Sequence, residues 1–336
     1  MNNILNKQKG TVIITVLMLV AVATYLAVEM TYRQRVDITR TGTLLALSQS
    51  EEYVKSAEAL AQYVLEQDLK GDIKDADLSD HKQEDWPTKV VKPIGRGLVQ
   101  GEIIDLQGRF NLNKFLLTTT PTSGSEYKEQ FIALLGALGI PSSSTNGLSA
   151  AVIAERVVDW VDVGNQPETG GLETLDYQLL DPPYQAGNRI LVDLSELLLV
   201  TGVSAADLDK MADYVSILPP STPVNINTAS ENVLALTGCL SVSAIVSARE
   251  SGPITKDDIT KMSSTGSSYV DAACADGVPE GTFSSNSEFF LLKAKSEVDK
   301  KTIHMNSVLY RQATETASDV KVKVILRKHL DPFSGV

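Results

Sequence analysis

Five carboxylates crowd the middle of the chain: Asp159, Asp162, Glu173, Asp176 and Asp181, around the loop Val163–Gly171. Asp159 and Asp162 are three apart, so on a helix they share one face. Near a helix C-terminus they meet the unfavourable end of its dipole, and a bound cation would relieve that repulsion. Calcium takes about six to eight oxygens from carboxylates, carbonyls and water. Gly164, Gly170 and Gly171 let loop carbonyls turn toward an ion. Asp159, Asp162, Glu173 and Asp176 are therefore candidate calcium ligands. The alternative is a solvated acidic loop whose Asp residues cap helices. Asp159 and Glu173 could be drawn as an acid–base pair, but Trp160, Tyr177 and Tyr184 nearby suit a core better than a sugar platform. Ser195, within Asp193–Glu196, suits an N-cap region better than a nucleophile. His81, His304 and His329 are scattered and make no metal spacing. No phosphate loop, zinc cluster or nucleophile elbow is present, so the chain is not expected to be an enzyme. Cys239 and Cys274 are either bridged or two buried thiols. A bridge across that interval would contribute about 3–4 kcal/mol on the loop-entropy model.

The elements that position these groups begin with an apolar run. Thr11–Val28 carries no charge and is long enough to cross a hydrocarbon core. A secretory signal is cut after its apolar run; here Lys7, Lys9 and Gly10 precede it. That order suits cleavage between Gly10 and Thr11 with the helix retained. From Met30 to Leu69 there is no Pro and a single Gly, and apolar residues such as Leu44, Leu45, Val54, Leu60 and Ala61 recur at helical spacing. One helix from about Thr11 to Leu69 is predicted. Gly71–Pro93 reads as a loop, Leu98–Asp105 as a strand and Gln107-Gly108 as a turn. Helices are expected over Glu126–Leu138, Ser149–Val161, Asp193–Val200, Ala205–Ile217, Ser230–Thr237 and Ser241–Arg249. Strands return at Glu288–Ser296, Lys301–Tyr310 and Val320–Lys328, and the tail Asp331–Val336 is expected to fray.

The predicted class is α+β. A long N-terminal transmembrane helix packs on an antiparallel sheet, and a large all-α insertion of helix-hairpin-helix or SAM-like type interrupts the strands. The expected divisions are 1–10 leader, 11–30 transmembrane helix, 31–112 first part of the helix-and-sheet domain, 113–285 helical insertion and 286–332 returning strands. The 336 residues carry a net charge of −12, which argues against a nucleic-acid partner. Lys321, Lys323, Arg327 and Lys328 read as one solvated strand face. Val224–Pro253 resembles a helix-hairpin-helix module, but its hairpin Gly238-Cys239-Leu240-Ser241 lacks the second glycine and its flanks are not basic. A membrane-anchored DNA-binding protein is the alternative this leaves open; a minor pilin of a type IV pilus is another.

The leader resembles those of type IV pilins and pseudopilins. The wider chain resembles the protein K family of the general secretion pathway, the large minor pseudopilins of type II secretion systems. The likeness rests on the leader KQKG–TVIITVLMLV, IIDLQGRFNLN at Ile103–Asn113, VVDWVD at Val157–Asp162, Asp181–Val203 and TPVNINTAS at Thr222–Ser230. It runs from the N-terminus to residue 230. Major pilins carry Glu at the fifth mature position; counting from Thr11, that position is Thr15, and the family characteristically lacks the Glu. The resemblance implies cleavage after Gly10 by prepilin peptidase and N-methylation of Thr11. It implies single-pass insertion in the inner membrane of a Gram-negative bacterium, with the bulk in the periplasm. It further implies contact with I- and J-type minor pseudopilins and the inner-membrane secretion platform, at the pseudopilus tip. Calcium in the helical domain belongs to the same expectation, although relatives are richer in acid where this chain has Gly164 and Asn165.

Overall fold

The computed structural model describes residues 8–76, 78–117, 121–142, 148–164, 166–263, 267–271, 274, 277–312, 314 and 316–330. The leader through Lys7, Asn165 and the tail from Asp331 lie outside the described residues.

Helix α1 spans Gln8–Asp75, 68 residues and about 100 Å at 1.5 Å per residue. It outlasts the predicted end at Leu69 because no Pro or αL residue stops it until Ala76, whose φ is 58°. From Thr11 to Val28 its side chains are exposed. Its window of highest mean hydropathy reaches 2.5, and it is long and apolar enough to cross a membrane. Beyond Leu45 it buries Ala46, Ser50, Val54, Glu58, Ala61, Leu65 and Leu69, spaced three or four apart. The predicted stripe is partly misplaced: Leu44, Leu45 and Leu60 face out. Small residues take several inner positions because strand backbone and side chains come close, as where Ser296 Oγ donates to Ser50 O at 2.8 Å. Glu58 is tolerated inside because Arg327 pairs with it and Ser307 Oγ donates to it at 2.5 Å.

The sheet under α1 has the order β1(Val90–Ile94), β2(Gly97–Asp105), β7(Phe289–Val298), β8(Lys301–Arg311) and β9(Val322–Leu330), all antiparallel. β1 falls in the segment that the sequence reads as loop; its residues are all exposed and it holds Pro93, which an edge strand tolerates. Trp86, in the same segment, is buried edge-on against Phe290 at 5.2 Å. Since β2 pairs directly with β7, everything between Asp105 and Phe289 leaves and re-enters at one end of one strand pair.

That inserted block holds two cores. The first gathers the short strand β3(Phe110–Asn111), a 3-10 turn at Leu112–Leu117, α2(Pro121–Ala137), α3(Ala150–Val161), α4(Thr174–Tyr177) and a 3-10 turn at Leu194–Leu199. It continues into α5(Ala205–Met211) and β4(Val215–Ser216), which pairs with β3. The second contains β5(Val224–Asn225), α6(Glu231–Ala235), α7(Val242–Ser251), α8(Lys256–Met262) and β6(Phe283–Ser284). Asp193–Val200 is thus a 3-10 turn rather than an α-helix, and Ala205–Ile217 is a short helix followed by a strand. α8 escapes the sequence reading because it has only two turns and a polar exterior.

A buried polar knot fastens the block to the sheet. Asp105, at the end of β2, accepts from Thr228 Oγ1 at 2.5 Å, Ser287 Oγ at 2.7 Å and Asn225 Nδ2 at 3.1 Å. Asp80 accepts from the Ser287 N–H at 2.6 Å, and its own carbonyl accepts from Asn225 Nδ2 at 3.0 Å. Arg311, at the end of β8, pairs with Asp80 and with Asp68 of α1. Gly108 lets the chain pass: a Cβ there would lie 2.7 Å from Thr228 Oγ1 and 3.0 Å from its backbone carbon.

Removing one partner of a buried ion pair leaves the other charge uncompensated. Arg311→Met is therefore expected to destabilise the chain by about 3–5 kcal/mol in denaturant melts. Arg311→Lys should recover only part of that loss, because an ammonium lacks the planar fork that spans two carboxylates.

Candidate functional site

The acidic loop is assembled by α3 and by the segment leading from it to α4. Ser149 caps α3 through the Val152 N–H, and the helix ends at Asp162. Asp159, fully buried one turn earlier, lodges its carboxylate against the returning loop and accepts from the Glu168 N–H at 3.2 Å. Only glycine fits opposite it: a Cβ on Gly171 would stand 1.7 Å from Asp159 Oδ2. Asp162 accepts from the Gly164 N–H at 3.1 Å. Glu173 is the N-cap of α4; it is buried, its carboxylate faces the first N–H groups of the helix, and neither carboxylate oxygen has a close hydrogen-bond partner among the described residues.

Burial pushes Asp159 up to about 7, with Asp162, Glu173 and Glu168 adding repulsion. Asp162 and Glu173 are also raised, chiefly by burial and further by their acidic neighbours. Three of the four candidate ligands therefore share one field. Asp176 is largely committed elsewhere: its Oδ2 accepts the Glu173 N–H at 2.9 Å, a capping role. Asp181 is exposed and is not among the groups coupled to the cluster. Glu168 joins the cluster although the sequence does not single it out, since 167–169 reads only as a polar turn. The buried Glu173 and Asp159 carboxylates offer hard oxygen donors to a divalent cation, but among the described residues Asp159, Asp162 and Glu173 do not bring three carboxylate oxygens within 4.8 Å of one another. Asp159, Asp162 and Glu173 would hold it, and the ion would supply charge neutralisation that ties α3 to α4.

The structure contains the disulfide Cys239–Cys274, which links the α6–α7 hairpin to the segment after α8. The hairpin does not present a phosphate cradle. Gly238 alone has positive φ, at 63°, and Cys239 is tied into the bridge. Arg249 of α7 turns inward, donating to Ala229 O at 2.9 Å and to Ile226 O. The basic strand face is partly engaged as well: Arg327 pairs with Glu58 and Lys328 with Asp193.

A second acidic group is invisible in the sequence. Carboxylate oxygens of Asp68, Asp80 and Glu84 lie within 4.8 Å of one another. Burial pushes Asp68 up to about 6 and Glu84 up to about 8. Arg311 already stands among them as the cation. No sequence motif announces a group drawn from a helix, a loop and a strand end.

At Thr15, the fifth residue after Gly10, the hydroxyl donates to Val12 O at 2.9 Å within the helix, and no acid stands there. α1 runs through Lys9 and Gly10, so the expected cleavage point lies on helical backbone.

A long apolar helix laid along an antiparallel sheet, with a helical block let into one strand connection, defines a pilin-like protein with an enlarged head. Residues 108–220 match the family model described as type II secretion system (T2SS), protein K. Among curated relatives, type II secretion system protein K of Pseudomonas aeruginosa is 36% identical over 262 residues, covering 76% of each chain. The protein of the same name from Aeromonas hydrophila is 32% identical over 240 residues, covering 68% of this chain and 70% of its own. A chain of the solved GspK–GspI–GspJ complex of the enterotoxigenic Escherichia coli type 2 secretion system superposes with a TM-score of 0.63. It is 23% identical and covers 87% of this chain and 99% of that one. The chain belongs to the type II secretion system protein K family.

Calcium at the α3–α4 loop is tested by thermal unfolding. Added calcium should raise Tm relative to EDTA in the wild type, and Glu173→Gln should abolish the response. An unchanged wild-type Tm would reject the ion.

Proposed function

We propose that this chain is the minor pseudopilin at the tip of a type II secretion pseudopilus. There it joins I- and J-type pseudopilins, initiates assembly and supports export of folded periplasmic proteins. It is a structural subunit, held in the inner membrane by Thr11–Val28 with its bulk in the periplasm. Its divisions fall after residues 10 and 30, and the inserted block, expected at 113–285, is bounded by Asp105 and Phe289.

The observation that carries this reading is the placement of the inserted block. About 180 residues hang from one end of the β2–β7 pair, beside a helix whose N-terminal half is exposed. In a filament whose helices pack side by side, a head of that size crowds any subunit stacked above it. At the tip there is none. The complex formed by the Escherichia coli relative supports I- and J-type partners, and exposed Leu44, Leu45, Leu60 and Tyr63 leave α1 a free apolar face for their helices. Thr15 in place of an acid suits a subunit with no neighbour ahead of it. Calcium at Asp159, Asp162 and Glu173 would stiffen the head, and the inner-membrane platform would feed the subunit into the filament.

Co-purification tests this. Co-expressed with the I- and J-type pseudopilins of the same system, the chain should elute in one complex. Separate elution of all three would overturn the proposal. Processing by prepilin peptidase after Gly10, followed by methylation of Thr11, makes a second expectation. A bulky substitution such as Gly10→Val should leave the unprocessed precursor on immunoblots and stop secretion, whereas Thr15→Glu should be processed and secrete at near wild-type levels.

A further inference from the structure

Outside α1, fourteen large apolar side chains of the described residues are exposed, and eight of them fall between residues 163 and 199. Single exposed apolar residues are ordinary; a cluster is not. Val163 is 80% exposed, Leu175 75% and Leu179 86%, with Ile190, Val192 and Leu199 also open. Leu175 and Leu179 lie four apart and point away from Tyr177, which is fully buried.

Hydrogen bonds and ring packing draw the segments that carry them together. Tyr184 OH donates to Leu199 O at 2.8 Å, while its ring packs on Tyr177 at 5.2 Å, directly beneath α4. Asn188 Nδ2 donates to Gly164 O at 3.3 Å, which holds the Ile190 segment beside Val163. The rings underneath are rigid core, so the face is built rather than frayed.

Its frame is acidic. Residues 155–199 contain nine Asp and Glu against two Arg; Asp159 and Glu173 are buried, Lys128 pairs with Glu168 and Lys328 with Asp193, and Glu155, Asp162, Asp176 and Asp181 make no ion pair among the described residues. Arg156 is spent on the carbonyls of Gly170 and Thr201, and Arg189 pairs with Glu196. A second copy of this chain would bring acid against acid, and an anionic lipid surface would be repelled. Charge complementarity selects a different occupant. We infer that the face formed by Val163, Leu175, Leu179, Ile190, Val192 and Leu199 docks a polypeptide whose apolar side chains are flanked by Lys or Arg. The apolar contact would supply affinity and the acidic frame would set partner choice and encounter rate. This holds whether or not the chain sits at a filament tip.

The test uses the full chain in phosphatidylcholine nanodiscs, with empty discs as the blank. The probe is a fluorescent helical peptide of Leu and Lys, compared with its Leu and Glu counterpart, read by anisotropy. The Lys peptide should bind and the Glu peptide should not. Leu175→Ser with Leu179→Ser should weaken binding at least about tenfold, while Ile325→Ser, also at an exposed position but on β9, should leave it unchanged. Failure of the Lys peptide to bind, equal binding of both peptides, or equal loss with Ile325→Ser would overturn the inference. Retention of phosphatidylglycerol vesicles that the Leu175/Leu179 variant loses would assign the face to membrane and overturn it too.

Discussion

Arg311 and the carboxylates it holds are the constraint on which the rest of the architecture depends. One guanidinium, fully buried over the ring of Phe290 at 4.8 Å, joins Asp68 of the long helix to Asp80 of the connecting loop. Through Ser287 and Asn225, Asp80 is joined to Asp105 at the end of β2 and to the start of the second inserted core. Helix, sheet and inserted block therefore meet at one desolvated point. In such a place a hydrogen bond is stronger than in water, and an unpaired group is far more costly. Apolar packing could hold each layer together, but it is non-directional. The knot supplies what packing lacks, a fixed angle between a large head and the stalk that carries it.

That fixed attachment gives the head its mechanical meaning. α1 is exposed along its first half and buried on one face along its second, so it is both an apolar segment of membrane-spanning length and a spine. The block emerging between β2 and β7 carries its own cores, its own disulfide and its own acidic loop, and it need not deform the sheet to exist. A fold of this kind can enlarge one subunit of a helical assembly without altering the surface by which the helices associate.

Much of this was legible in the sequence where burial follows a period. The long helix, β2, β7 and β8 were found because apolar residues recur at 3.6 or at 2. Cys239 and Cys274 are joined, one of the two alternatives the sequence leaves open. Elements escaped where burial follows no period. β1 is exposed on both faces, α8 is two polar turns, and Leu44 and Leu60 look like core yet face out while Ala46, Ser50 and Ala61 turn inward. Of the acidic site, Asp159, Asp162 and Glu173 are brought into one field, whereas Asp176 serves as a cap and Asp181 stands apart. The Asp68–Asp80–Glu84–Arg311 group could not have been found, because its members come from residues 68 to 311 and meet only when the sheet closes.

The central claim is that this head terminates a filament. Gold labelling of a tag on the inserted block, viewed on overproduced pseudopili by electron microscopy, tests it most directly. The account predicts a single label at one end of each filament. Labels distributed along the shaft would contradict it.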